Sequence, residues 1–186
     1  IEANAGSAAW GVLDGAGADS SGAFSVPVMV LEDAWDWRLV GAAAGHDDSD
    51  AVTVSPGESG VTLTLSAPGS LAYSITDSAG DPGPARLVLQ RDDGARLDRW
   101  LVGSGTEAVP PGEYTYTATR GYEYSPVSGT LTVPAHGEAS LSVSLEHVVD
   151  TTGFLSVDTH VHTSHSPDSR MGQAEQLQHA AAHGLE

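Results

Sequence analysis

Residues 140–146 read Ser-Leu-Ser-Val-Ser-Leu-Glu, with aliphatic and small polar side chains in strict alternation. Successive side chains of a β-strand point to opposite faces, so we expect Leu141, Val143 and Leu145 to face a core while the serines face water. Residues 61–65 alternate in the same way, and clusters of Gly, Pro, Asp and Ser between such segments favour turns. The sequence therefore predicts a mainly β protein.

A full set of strands is predicted between residues 69 and 147. Tyr114 and Tyr116 alternate with threonines, and Pro-Pro-Gly at residues 110–112 suits a tight reversal just before them. Several short strands with frequent turns are typical of a small β-sandwich. The predicted strands are residues 71–76, 85–90, 97–102, 113–120, 122–124, 129–133 and 140–146.

An internal repeat relates the two parts of this β region. Segments correspond in one order at a nearly constant offset: 14–16 with 93–95, 35–37 with 114–116, 52–54 with 131–133, and 61–65 with 141–145. Either the chain contains a true tandem repeat, or two sandwiches share ordinary hairpin patterns. We favour the repeat. It predicts two β-sandwich modules, residues 1–67 (without an opening strand) and 68–148, with 61–65 and 141–145 as equivalent core strands.

The charge balance is strongly acidic. The 186 residues include 25 Asp and Glu but only 7 basic side chains, all of them arginine, and the formal net charge is −18. Nucleic acids and anionic membranes both attract basic surfaces, so neither partner is expected. Two interpretations remain open: an acidic, secreted or otherwise extracytoplasmic protein, or a halophilic protein whose self-repulsion is screened by salt.

Two features limit the kinds of site and of membrane attachment. The chain has no cysteine, which excludes disulfides and thiolate metal ligands. No apolar run approaches the roughly 20 residues that cross a bilayer, so no membrane segment is predicted.

Aromatic residues at every second position have two interpretations. They form a platform for stacking sugars, or they are ordinary strand residues with one face in the core, and we prefer the second. The residues concerned are Trp35, Trp37, Tyr114, Tyr116, Tyr122 and Tyr124.

The pattern changes after Gly153. Residues 154–157 predict a strand that runs into Asp-Thr-His-Val-His at 158–162, where the two-residue period places His160 and His162 on one side. Two imidazoles that converge make half of a site for a divalent metal. Asp158 could orient one ring from behind, and the loop that follows could bring Asp168 to the same metals.

A helix is predicted from residue 173 to residue 183. Leu177, Ala180 and Ala181 form its apolar stripe, and Gly184 stands where a left-handed residue ends helices. Residues 185–186 would begin the next strand. Strand, polar loop, helix and strand are the opening of a βα barrel, in which sites lie at the carboxyl ends of strands.

These motifs resemble a known superfamily. Asp158-x-His160-x-His162-Thr163, followed by Ser-Pro-Asp-Ser at 166–169 and a helix ending in Gly-Leu, is similar to the first motif of PHP (polymerase and histidinol phosphatase) metallohydrolases. About residues 153–186 carry this likeness. β modules placed directly before it resemble the carbaryl-hydrolase-like branch. Within the second module, Thr-Asp-Ser-Ala-Gly at 76–80 and Pro-Gly-Glu-Tyr at 111–114 resemble carboxypeptidase-regulatory-like domains.

The resemblance implies a fold and an activity. The fold is a distorted (β/α)7 barrel holding two or three divalent metals, with zinc, manganese and iron equally compatible. The activity is hydrolysis of small-molecule phosphoesters or, in that branch, a carbamate ester. By position, His160, His162 and Asp168 are implied metal ligands. The remaining ligands are expected beyond Glu186, so residues 149–186 would be the truncated start of this domain and inactive alone.

Alternatives concern the other histidines and the function as a whole. His165 either contacts substrate or faces solvent. His179 and His183 are exposed or pack at the helix end, because Ala180 breaks the His-Glu-x-x-His metalloprotease pattern. A different function class is an extracellular binding or adhesion β module without catalysis.

Overall fold

The computed structural model describes residues 2–4, 11–12, 15–27 and 36–185. Contacts divide the chain into two compact units, Ile1–Ala67 and Pro68–Glu186. Strands are the main regular secondary structure of both units, and the described residues contain one helix. The mainly β prediction is therefore confirmed. That helix has ten residues, and no helix in the described part of the chain is long and apolar enough to cross a membrane.

The described residues of the first unit form one four-stranded antiparallel sheet of order β2-β1-β3-β4. Trp37 and Leu39 are buried in it. Trp37 thus behaves as a core residue of a strand, whereas Trp35 lies outside the described residues. The strands are β1 Glu2–Asn4, β2 Gly11–Val12, β3 Asp36–Leu39 and β4 Val52–Val54.

The second unit contains two sheets. One is antiparallel, with order β10-β9-β6-β7, and the other has order β11-β5-β8, in which β11 runs parallel to β5. The strands are β5 Ser70–Asp77, β6 Pro84–Gln90, β7 Arg96–Val102, β8 Ser104–Ala108, β9 Gly112–Thr119, β10 Val127–Val133 and β11 Glu138–Leu145.

Six predicted strands of this unit are confirmed, and two predictions were wrong. Residues 122–124 form a turn with a single bridge from Tyr124 to His147, because the chain reverses there between β9 and β10. The strand β8 was missed, since its sequence Ser-Gly-Thr-Glu-Ala has no apolar alternation. It forms because β5 supplies an antiparallel partner for its backbone.

One core lies between the two sheets. Leu87 and Leu89 of β6 and Ile75 of β5 are fully buried in the same cluster as Leu141 and Val143 of β11. The intervening serines of β11 are exposed, as the alternation predicted. Each such aliphatic side chain stabilises the fold by roughly 1.5–3 kcal/mol relative to an exposed position. Tyr114 belongs to this core and the partly buried Tyr116 packs against it, as expected of ordinary strand residues, whereas Tyr122 is fully exposed in a turn.

The repeat does not hold at the level of strands. Residues 61–65 form no strand and are only partly buried, so the predicted equivalence with 141–145 was wrong. Alternation alone does not form a strand, since the backbone also needs a neighbour to bond. The registers differ too: Trp37 pairs with Val54, whereas its counterpart Tyr116 pairs with Gly129 and not with Val133. Asp14, in another repeat segment, lies outside the described residues.

The helix α1 spans Gln173–Ala182, and Gly184 ends it at φ +78°, both as predicted. Its buried side was predicted wrongly. Leu177 is 70 % exposed and Ala182 is fully buried, because α1 packs on β6 and β7 through its last turn. Leu185 is not in a strand, and Glu186 lies outside the described residues.

The strand predicted at 154–157 is not formed. No described segment pairs with residues 154–162, and Phe154, Leu155 and Val157 are exposed. A strand requires backbone partners and an apolar face requires a layer to pack on, and this segment has neither. The predicted βα unit is therefore represented by its helix alone.

Candidate metal centre

The histidine motif lies in a loop that turns back on itself before α1. Ser166 and Ser169 donate backbone bonds to the carbonyls of Thr163 and Ser166, at 2.8 and 3.3 Å, which forms two successive turns. The backbone N–H of Ser164 donates to the carbonyl of Met171 at 2.7 Å and closes the loop. This closure brings Asp168 back toward the histidines.

Three of the predicted residues lie in contact. The Nε2 atoms of His160 and His162 are 2.7 Å apart, and the two rings are stacked with centroids 4.8 Å apart. The Nδ1 atom of His162 is 2.9 Å from Oδ1 of Asp168. The side chains form a row, Asp168–His162–His160, although the strand that was expected to align the histidines is absent.

The carboxylate of Asp168 determines the tautomer of His162. An ionised carboxylate only accepts hydrogen bonds, so His162 Nδ1 must carry the proton. In the neutral ring, Nε2 of His162 is then an acceptor, and at 2.7 Å it accepts a hydrogen bond from the Nε2–H of His160. To bind an ion through Nε2, His160 must carry its proton on Nδ1 instead. Carboxylates hold metal-binding imidazoles in this way from the far nitrogen, which orients the ring and raises its basicity.

The donor set fits half of a metal site. Two imidazoles on one tetrahedral ion, at 2.0–2.1 Å, place their nitrogens about 3.3 Å apart. The observed 2.7 Å is a hydrogen-bond distance, so the rings must separate by about 0.6 Å to hold an ion. Both rings are exposed on a loop, which allows that movement.

Asp168 does not converge on the same point. It lies at Nδ1 of His162, on the side of the ring away from the paired Nε2 atoms. Consistently, the described residues contain no group of three or more His, Asp or Glu side chains arranged to hold an ion. Imidazole nitrogens suit zinc and iron ions, whereas manganese prefers carboxylate and water oxygens, and further ligands are needed to complete a site for any of them.

The structure gives Asp158 and His165 other contacts. The Asp158 carboxylate accepts the backbone N–H of His160 at 3.0 Å, so it shapes the backbone and does not contact the ring. His165 is exposed, and its backbone N–H lies 3.4 Å from the Thr163 hydroxyl. Asp158 therefore positions the histidine motif through the main chain.

The helical histidines serve packing. The His179 ring stacks on Trp100 with centroids 3.9 Å apart, and His183 Nδ1 bonds the carbonyl of His179 at 2.8 Å. The interpretation of these residues as packing at the helix end is confirmed for His179.

Residues that the sequence did not single out hold the start of the segment. Glu123 Oε2 contacts His147 Nε2 at 3.0 Å and accepts from the Thr151 hydroxyl at 3.2 Å. A cleft of about 490 Å³ is lined by residues 147–152 and Phe154. Nothing in the sequence pattern marks Glu123. Trp100 could have been found, because it lies on the polar face of β7, where a large aromatic side chain indicates that another element packs over it.

A comparison with models of known protein families finds no match, and a comparison with curated proteins finds none either.

Proposed function

We propose that residues 153–185 are the first metal-binding segment of a PHP-type, metal-dependent hydrolase that acts on small phosphoesters or related esters. The observation that carries the proposal is the row Asp168–His162–His160, in which two imidazole nitrogens face each other and a carboxylate orients one ring.

Each residue has a defined task in the proposed site. His160 and His162 hold an ion through Nε2, and Asp168 keeps the proton on Nδ1 of His162 so that Nε2 stays available. Asp158 fixes the main chain at His160. When bound, divalent ions supply a water of lowered pKa and a Lewis acid at the ester oxygen. The proposal includes two or three such ions, of zinc, manganese or iron.

We also propose a domain architecture for the whole protein. The two-layered second unit is proposed to be a carboxypeptidase-regulatory-like β-sandwich, and α1 the first helix of a (β/α)7 barrel in the whole protein. With its acidic surface, this organisation suits an extracytoplasmic enzyme.

The test is hydrolysis by the full-length protein. It is loaded separately with Zn²⁺, Mn²⁺ or Fe²⁺ and assayed on p-nitrophenyl phosphate, bis-p-nitrophenyl phosphate and a p-nitrophenyl carbamate. We expect turnover of at least one ester, its loss with EDTA and its return with metal. His160→Ala and His162→Ala should abolish it, and His183→Ala, at an exposed helical histidine, should not.

The competing function class gives different results. A non-catalytic binding or adhesion module would hydrolyse none of the three esters under any metal, and His160→Ala would change nothing. Such an outcome would refute the hydrolase proposal.

A further inference from the structure

We infer that the second β unit is a docking platform for the histidine segment, and that Trp100 and Glu123 are positioning residues for His160 and His162. The docking is independent of the proposed function, whereas the positioning role rests on it. The segment meant is residues 147–185, which begins at the end of β11 and includes α1.

The helix is held on the outer face of the β10-β9-β6-β7 sheet. The Trp100 ring stacks on His179 at 3.9 Å with an interplanar angle of 20°, and the side-chain amide of Gln178 donates to the Trp100 carbonyl. The indole Nε1 is buried, and Ala182 has no exposed surface. The helix thus contacts Trp100 twice, through the ring of His179 and through the side-chain amide of Gln178.

The platform itself is preformed by charged residues. Arg86 lies 5.8 Å from the centroid of the Trp100 ring, and its guanidinium pairs with Asp98 at 2.5 Å. Arg96 pairs with the same carboxylate at 2.9 Å. These ion pairs fix Arg86 beside Trp100, so the indole is held in place by its own sheet as well as by the helix.

The end of the helix contacts the β unit through backbone. Gly121 has φ +63°, and a Cβ there would collide with the carbonyl of His183. Gly184, in turn, lies against Gly121 and the Arg120 carbonyl. Two glycines that face each other allow this approach. A side chain at Gly121 would not fit, which indicates a specific position for the helix end.

The start of the segment is held near the same turn. Besides accepting from Thr151 and contacting His147, Glu123 uses its carbonyl to accept the backbone N–H of Val148 at 2.8 Å. The Tyr124 ring packs against His147 at 4.9 Å. Glu123 and Tyr124 thus fix the beginning of the segment, and Gly121 receives its end.

Fixing both ends restricts the loop that carries the histidines. A loop whose ends are held loses less entropy when it adopts one closed form, and the Asp168–His162–His160 row is such a form. Releasing either end should therefore weaken metal binding without removing a ligand.

Hydrogen exchange in the whole 186-residue chain tests the docking. Ala182→Gln places a bulky neutral side chain in the buried contact, and Ala174→Gln makes the same change at an exposed position of α1. We expect exchange of residues 173–182 to accelerate about tenfold or more in Ala182→Gln and Trp100→Ala. Ala174→Gln and Tyr122→Ala, at a fully exposed aromatic residue, should match wild type.

Exchange in two regions tests the docking: helix α1, and strands β9 and β11 as the control. Strands β9 and β11 should keep their protection in every variant, which shows that the β unit remains folded. If Ala182→Gln and Trp100→Ala leave exchange in α1 unchanged, the docking is refuted. Trp100→Phe should restore slow exchange, because a phenyl ring still stacks on His179.

Titration with Co²⁺, followed by its visible absorption, tests the positioning role in the same chain. We expect Trp100→Ala and Glu123→Gln to weaken Co²⁺ binding about tenfold, within the range found for residues that orient metal ligands. Unchanged affinity in a variant whose helix is released would refute the positioning role. If wild type binds no Co²⁺ through His160, the proposed function and positioning both fail, while exchange still decides the docking.

Discussion

Asp98 shows how one side chain organises a surface of the sheet. It accepts from Arg96 and from Arg86, and these charge-assisted bonds hold the pKa of Asp98 below its usual value of 3.8. A depressed folded-state pKa means that ionised Asp98 stabilises the native state above the unfolded-state pKa. That stabilisation is lost as the pH falls through the folded-state value.

Asp98→Asn should therefore destabilise the protein at neutral pH and matter less in acid. We expect a loss of about 1 kcal/mol at pH 7, since both arginines are partly exposed. The difference from wild type should shrink as the pH falls below the usual carboxyl value of 3.8 and through the lowered folded-state pKa of Asp98. Urea unfolding at several pH values measures this difference in the free energy of unfolding. A difference independent of pH would show that Asp98 acts through packing and not through charge.

The sequence predicted that His160 and His162 lie together, but the expected reason, a shared strand, is not found. Strand periodicity placed His160 and His162 together, yet they meet outside any strand, and the turns at Thr163 and Ser166 bring Asp168 to them. Asp168 was expected as a metal ligand, which stays a prediction, and in this structure its carboxylate contacts Nδ1 of His162. Local residue types therefore predicted which side chains gather, but not how, because loop geometry depends on hydrogen bonds that periodicity does not encode.

At the scale of elements, strands formed where an apolar face met a partner. β11 has alternation, a parallel neighbour in β5 and a core to cover. Residues 61–65 alternate equally well and form no strand, and β8 forms without alternation because β5 pairs with it. Pairing partners come from distant parts of the chain, so a local pattern could not predict these two cases. The buried side of α1 could not be predicted for the same reason, because it is set by packing on β6 and β7.

The same leucine-to-alanine change at two positions, one in β11 and one within residues 154–157, tests whether a strand needs packing partners. Leu145→Ala, at the end of β11 where the side chain is 1 % exposed, should lower the free energy of unfolding by about 2–5 kcal/mol. Leu155→Ala, in a residue 75 % exposed within the expected strand, should change it by less than about 0.5 kcal/mol. Denaturant titration gives both values. Equal costs would mean that 154–157 packs in solution.

For the whole molecule, charge is the dominant feature. A formal net charge of −18 over 186 residues produces repulsion among exposed carboxylates. If the composition reflects adaptation to salt, the melting temperature should rise steeply between low and molar NaCl, since the screening length falls from about 30 Å at 0.01 M to about 3 Å at 1 M. Thermal unfolding followed by circular dichroism measures this. A melting temperature independent of salt would favour the interpretation as an ordinary acidic secreted protein.

Binding of one divalent ion by the two histidines is the central claim, and Zn²⁺ calorimetry on this chain tests it most directly. Wild type should bind Zn²⁺ weakly, because two imidazoles make half of a tetrahedral set. His160→Ala and His162→Ala should abolish binding, Asp168→Asn should weaken it about 10- to 100-fold, and His183→Ala should leave it unchanged. A His160→Ala chain that binds Zn²⁺ with wild-type affinity and stoichiometry would contradict the assignment.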